Sequence, residues 1–92
     1  AFALAATFHL EVLTPNRKEL DEQVVSIVVP GELGYLGVMA NHAPLITTLS
    51  TGDLKITLDG NEEKYFQIKG GILKVARNEA TLLTESITKI EA

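Results

Sequence analysis

The chain holds 92 residues, 12 acidic and 8 basic for a net charge of −4, with 46% hydrophobic residues and no cysteine. That is enough for one domain with a modest core, burying roughly 60–65% of the surface its unfolded chain exposes, and too apolar for intrinsic disorder. An acidic surface repels nucleic-acid phosphates, and without cysteine there is no disulfide, thiol nucleophile or zinc–thiolate set.

The opening Ala1-Phe2-Ala3-Leu4-Ala5-Ala6 is apolar but has no basic residue before it, and it is far shorter than the ~20 residues that cross a bilayer. Residues 1–6 are therefore expected to be a tag or a disordered extension, and residues 7–92 the folded domain. From Thr7 the periodicity is two. Phe8, Leu10 and Val12 fall on one side and Thr7, His9 and Glu11 on the other, the signature of a half-buried strand. Thr14-Pro15-Asn16-Arg17 reads as a turn, and Arg17 to Glu22 fits either a helical turn or a solvated edge. Gln23 to Val29 is rich in β-branched residues and reads as one strand, ended by Pro30-Gly31.

The second half repeats the theme. Ala43 to Leu49, Asp53 to Leu58, Glu63 to Ile68, Ile72 to Ala76 and Ala80 to Thr84 alternate or run apolar, separated by Ser50-Thr51-Gly52, Asp59-Gly60-Asn61, Gly70-Gly71 and Arg77-Asn78-Glu79. Ser86 to Ala92 fits the start of a helix, with Ile87 and Ile90 three apart. About ten short strands with no helical run between them predict an all-β fold, an antiparallel β-sandwich.

Chemistry-bearing residues are few. His42, in Asn41-His42-Ala43-Pro44, has two readings: a general base with Ser26 or Asp53 as partners, or a loop histidine that satisfies nearby backbone. His9 falls on the polar strand side and is expected to be solvated. Two histidines on separate elements without ligand spacing predict no metal site. Gly31, Gly34 and Gly37 lack the lysine and helix of a phosphate loop, so they are expected to serve turns or a bulge, and no cofactor is expected. Leu33, Tyr35, Leu36, Val38 and Met39 crowd large apolar groups into seven residues. Either alternation folds most of them inward, or some stay exposed as a partner surface.

Pro30 to Val38 followed by Asn41-His42-Ala43-Pro44-Leu45 resembles the hallmark of the epsilon subunit of F-type ATP synthases. Thr7 to Pro15 is similar to that family's first strand, and Lys69 to Val75 to its glycine-pair strand, so the likeness is collinear from about Thr7 to Ser86. Ala40-Asn41 stands where the family often has proline then glycine. The chain given ends at Ala92, before the family's carboxy-terminal helical hairpin, so neither the inhibition nor the ATP site of that hairpin carries over.

The resemblance implies a rotor part without an active site, seated between the gamma subunit and the c-ring, that helps couple proton-driven rotation to ATP synthesis. It also implies attachment to the cytoplasmic face of a bacterial inner membrane, or the stromal face of the thylakoid, only through the ring. Tyr35 to Pro44 matches the family's ring-facing loop. Tyr35, Leu36, Val38, Met39, Asn41 and His42 are accordingly the expected interface, and Gly31, Gly34, Gly37, Pro44, Gly70 and Gly71 the structural turns, so that Gly37→Val should destabilise the fold if position 37 has positive φ. A free-standing β-sandwich that binds a ligand or peptide is the alternative, weakened by a 5% aromatic share and no tryptophan.

Overall fold

The structure, a computed structural model, describes residues 6–90. The expected extension over residues 1–6 thus lies outside the described residues, apart from Ala6. Among the described residues ten strands and no helix follow in order: β1 (Phe8–Leu13), β2 (Lys18–Val24), β3 (Ser26–Gly31), β4 (Gly34–Met39), β5 (Leu45–Leu49), β6 (Gly52–Thr57), β7 (Glu63–Ile68), β8 (Gly71–Ala76), β9 (Glu79–Leu83) and β10 (Ile87–Lys89). They form two layers, β4-β3-β6-β7-β10 and β5-β8-β9-β1-β2, joined where Gly31 of β3 meets Leu49 of β5. The first of these is called the front layer below, the second the back layer.

Alternation builds the core directly. Phe8, Leu10 and Val12 from β1 share one buried cluster with Leu54 and Ile56 from β6 and with Ile27, Val38, Leu73 and Leu82. Each strand contributes every second side chain, so the two inner faces interdigitate while the intervening residues face outward.

Of the two readings of Arg17 to Glu22, the solvated edge holds: Lys18 to Glu22 is most of β2, the outermost strand of its layer, paired with β1 from Phe8↔Val24 to Leu13↔Lys18. Three local expectations change. Gln23 to Val29 is two strands, because the chain passes from the back layer to the front at Val25. There Val24 completes one inner face, and Ile27 starts the other. Ser86 to Ala92 does not start a helix within the described residues: Ile87–Lys89 pairs with β7, and Ile90 N–H donates to the Tyr65 carbonyl. The sandwich is not wholly antiparallel, since β1 and β9 run parallel from His9↔Glu79 to Leu13↔Leu83. These two strands are far apart in the chain, so no hairpin dictates their direction.

Turn glycines divide. Gly34, Gly70 and Gly71 have positive φ, whereas Gly37 sits inside β4 without one, which corrects the expectation for that position. Gly71 combines φ 133° with a backbone so close that a Cβ would collide with the Leu83 carbonyl. Only glycine fits there. At Gly31 a Cβ would lie 2.7 Å from the Gly34 carbonyl oxygen, a close-approach role rather than a φ role. Pro44 closes the connection between β4 and β5.

Candidate functional site

Tyr35 to Met39 is a strand, and the strand sorts its own side chains. Val38 is fully buried in the core and cannot meet a partner, which removes it from the expected interface. Leu36 is half-buried against the core, while Tyr35 and Met39 are 64% and 63% exposed on the other side. Both readings of the Leu33–Met39 cluster are therefore realised in one strand. Leu33, at the hairpin tip, is fully exposed. Tyr35 is held from below: a Cβ on Gly52 would lie 2.9 Å from the Pro30 ring and 3.3 Å from the Tyr35 hydroxyl, so the bare glycine leaves room for the phenol.

The expected single loop from Tyr35 to Pro44 is really a strand followed by a short connection. A six-residue strand spans ~17–20 Å, so Tyr35 and Asn41 stand at opposite ends of the sandwich. In the connection Asn41 takes φ 65° and donates its N–H to Asn78 Oδ1 at 2.6 Å. His42 N–H donates to the Met39 carbonyl, and its Nδ1 lies 2.7 Å from the Ala43 carbonyl, so that nitrogen carries the proton. The ring thus satisfies loop backbone. Among the described residues neither Ser26 nor Asp53 is bonded to it, and a nucleophile–base pair is not assembled.

A surface that the sequence reading missed lies on the back layer's outer face. Ile72 and Leu83 are direct partners across β8 and β9, and Leu83 is beside Leu13 on β1. Ile72 and Leu83 are 44% and 46% exposed, and Ile46 on β5 is 72% exposed. Leu13, Pro15, Ile72 and Leu83 border an open, mostly apolar depression of about 600 Å³. The clue was available in Ile72-Leu73 and Leu82-Leu83. Two adjacent apolar residues in a strand must point to opposite faces, so one of each pair stays outside unless a further layer covers it.

The same outer face turns polar toward its other end. His9 and Glu11 alternate onto it from β1, and Asp21 stands opposite Glu11 on β2. His9 Nε2 is 2.5 Å from Asp21 Oδ1, and Lys18 Nζ bridges Glu11 at 2.8 Å and Asp21 at 2.9 Å. His9 is therefore paired rather than merely solvated. The Asp21 hydrogen bond raises its pKa above the ordinary 6.5, and that bond together with Lys18 lowers the Asp21 carboxyl. Donor atoms of His9, Glu11 and Asp21 lie within 4.8 Å of one another, a grouping the separate histidines did not suggest. The Lys18 ammonium already serves both carboxylates as their cation.

The front layer's outer face is different again. Lys55 pairs with Glu63 at 3.1 Å, and the Tyr65 hydroxyl donates to Glu63 at 2.9 Å. On β6 and β7 the outward positions are polar, while β4 at the margin of the layer adds the exposed Tyr35 and Met39. Between the layers, Lys64 of β7 reaches Glu22 of β2 at 3.2 Å and closes that side of the sandwich.

Three comparisons bear on what such a domain is. A family model described as the ATP synthase Delta/Epsilon chain β-sandwich domain matches residues 7–90. The chain is 37% identical to the ATP synthase epsilon chain of Chlorobium limicola over 81 residues, covering 88% of this chain and 92% of that one. It is 41% identical over 85 residues to the epsilon chain of Pelotomaculum thermopropionicum, covering 92% of this chain and 63% of the relative. The sodium-ion-specific epsilon chain of Propionigenium modestum is 36% identical over 86 residues, with 94% and 62% covered. The chain thus spans under two thirds of the length of several curated relatives. Among solved structures, a chain of the Euglena gracilis mitochondrial ATP synthase superposes with a TM-score of 0.88 at 22% identity, covering 96% of this chain and 56% of that one. At that identity the likeness speaks for the fold.

Proposed function

The chain belongs to the ATP synthase Delta/Epsilon-chain β-sandwich family, and from that premise we propose that it is a non-catalytic rotor piece of the central stalk, packed between the gamma subunit and the c-ring. Its work is mechanical. A part that passes torque between neighbours has to be stiff, and a close-packed sandwich with interdigitated inner faces deforms little. It also has to hold both neighbours through surfaces rather than through a pocket.

The observation that carries this reading is the exposed row of Ile72 and Leu83 beside the depression at Leu13 and Pro15, with Ile46 one row over, opposite Lys74. A soluble domain this small does not leave such a row in water without a use, and apolar centres with polar rims mark protein interfaces. The rim is present in Lys74, Thr81, Glu11 and Asp21 of the next rows. We assign this face to gamma. Tyr35 and Met39 supply further burial at the gamma and ring contacts, with Asn41 and His42 shaping the connection that reaches the ring. The domain touches the membrane only through the ring, on the side where the catalytic head lies, and rotation is driven by protons. The name of the Propionigenium relative specifies sodium, so the coupling ion is the finest part of the reading.

Co-expression with gamma tests it. A stoichiometric complex that survives gel filtration is expected, and its addition to a stripped enzyme should restore proton-driven ATP synthesis. A chain that never binds gamma and instead captures a glycan or a free peptide would establish the binding-module alternative.

A further inference from the structure

Sandwiches have edges, and edges with unpaired backbone groups recruit other chains unless something blunts them. Of the free edges here, β2 is blunted by Lys18, Glu19, Asp21 and Glu22, and β10 is only three residues long. β4 has neither protection. It is six residues long, holds no charged residue, and pairs only with β3 among the described residues.

The hydrogen-bond phase of that edge follows from one residue. Pro30 has no N–H, and its carbonyl accepts from Ser50 N–H, so Pro30 faces away from β4. Its partner Tyr35 is consequently in a non-hydrogen-bonded pair, and alternation puts Gly37 and Met39 in the same class. Leu36 and Val38 spend their backbone groups on β3, while the N–H groups of Tyr35, Gly37 and Met39 point outward. The Met39 carbonyl already accepts from His42, which leaves the donors and acceptors of Tyr35 and Gly37 as the centre of the free edge.

Beside this edge runs a seam about 540 Å³ in volume, between the β3–β4 hairpin with the start of β4 and Leu45, Thr47 and Thr48 of β5. Over Gly37 nothing stands within 4 Å of where a Cβ would be, so a notch opens between Tyr35 and Met39. Thr48, which lines the seam, is the cross-strand neighbour of Ile72, so the seam borders the face assigned to gamma.

We propose that the β4 edge is a strand-addition site: an extended, uncharged segment of gamma pairs with β4 through the backbone of Tyr35 and Gly37, and one of its side chains enters the notch above Gly37. This rests on the assignment of gamma as partner and adds the mode of contact. Main-chain pairing explains why an edge without gatekeeping charges persists, since charges there would oppose the added strand.

The test is residue-resolved amide exchange on the chain alone and on its complex with gamma. Alone and dilute, Tyr35, Gly37 and Met39 should exchange fast and Leu36 and Val38 slowly. In the complex the Tyr35 and Gly37 amides should slow by about a hundredfold or more, with Leu36 and Val38 as internal controls. Gly37→Pro sharpens it, because that N–H is outside the β3 ladder and edge strands accept proline there. The variant should fold and melt like the parent yet bind gamma at least about tenfold more weakly.

A complex in which Tyr35 and Gly37 stay fast, or Gly37→Pro binding at full strength, overturns strand addition and leaves the gamma assignment standing. Slow exchange in the chain alone that vanishes on dilution identifies a second copy as the occupant, and slow exchange at every dilution shows the edge already filled; both overturn it. No complex at all removes the proposal together with the reading beneath it.

Discussion

The two outer faces of this sandwich are built by the same period-two rule and come out as opposites. On the front layer the outward positions of β6 and β7 include Asp53, Lys55, Glu63, Tyr65 and Gln67, with Glu63 bonded to both Lys55 and Tyr65, and the exposed Tyr35 and Met39 stand only at the β4 margin. On the back layer the outward positions of β5, β8 and β9 include Ile46, Ile72 and Leu83. Solubility explains the first pattern and not the second. The lesson is that in a small two-layer fold the informative face is the one where alternation stops excluding apolar residues, because that face behaves as half of a third layer whose other half is a partner.

The hardest way to break the contrast is through Gly71, which sets the Ile72–Leu83 row. Gly71→Ala needs a left-handed backbone and drives a methyl into the Leu83 carbonyl, so denaturant unfolding should show a loss of at least about 3 kcal/mol. Gly37→Ala, in open space, should cost under about 1 kcal/mol by the same measurement.

Next in size is the face itself. The double change Ile72→Glu with Leu83→Glu should lower affinity for gamma by about a hundredfold while leaving the melting temperature nearly unchanged. The matched front-face pair, Gln67→Glu with Thr88→Glu, should leave binding as it was. Equal losses from both pairs would abolish the distinction between the faces.

A smaller effect separates core from surface within β4. Val38→Ala should destabilise by about 2 kcal/mol, since it deletes buried carbon and leaves a void. Met39→Ala, on the exposed side, should stay within about 0.5 kcal/mol and register only in binding.

The smallest effect concerns the polar end of the back face. His9 has its pKa raised in the folded chain by the Asp21 hydrogen bond, so its contribution is complete below the ordinary value of 6.5 and is lost as pH rises through the folded value. Asp21 is lowered, chiefly by His9 and then Lys18, so its share is present above its ordinary 3.8 and lost as pH falls through the folded value. Thermal melts from pH 5 to pH 9 should therefore show the parent losing a slight advantage over His9→Gln, an advantage that salt also removes. A gap between the two that is unchanged across that range would mean the pair adds nothing.

Part of the candidate site was legible, and the parts that were not share a cause. The apolar crowding from Leu33 to Met39 was readable, but that Tyr35 and Met39 stay outside while Val38 goes in could be told only once the parity of the strand was known. Parity is set by pairing: Ile27↔Val38 puts both inside, and a shift by one residue would have put both outside. His9, Glu11 and Asp21 were likewise visible as residues and invisible as a group, since their meeting depends on the β1–β2 register across a turn.

The order of side chains along the chain was sufficient for β1 and for β5 to β9, the turns at Asp59-Gly60 and Gly70-Gly71, the all-β class and the family likeness. These are local matters, settled by alternation, φ preference and motif within ten residues of any point. What the tertiary arrangement alone decided was which side of each strand is inside, that β1 and β9 run parallel, that Ile46, Ile72 and Leu83 share an outer face, and that β4 keeps a bare edge. Each of those requires two segments distant in sequence to be placed side by side. A linear pattern carries the period of a strand but neither its phase nor its neighbours.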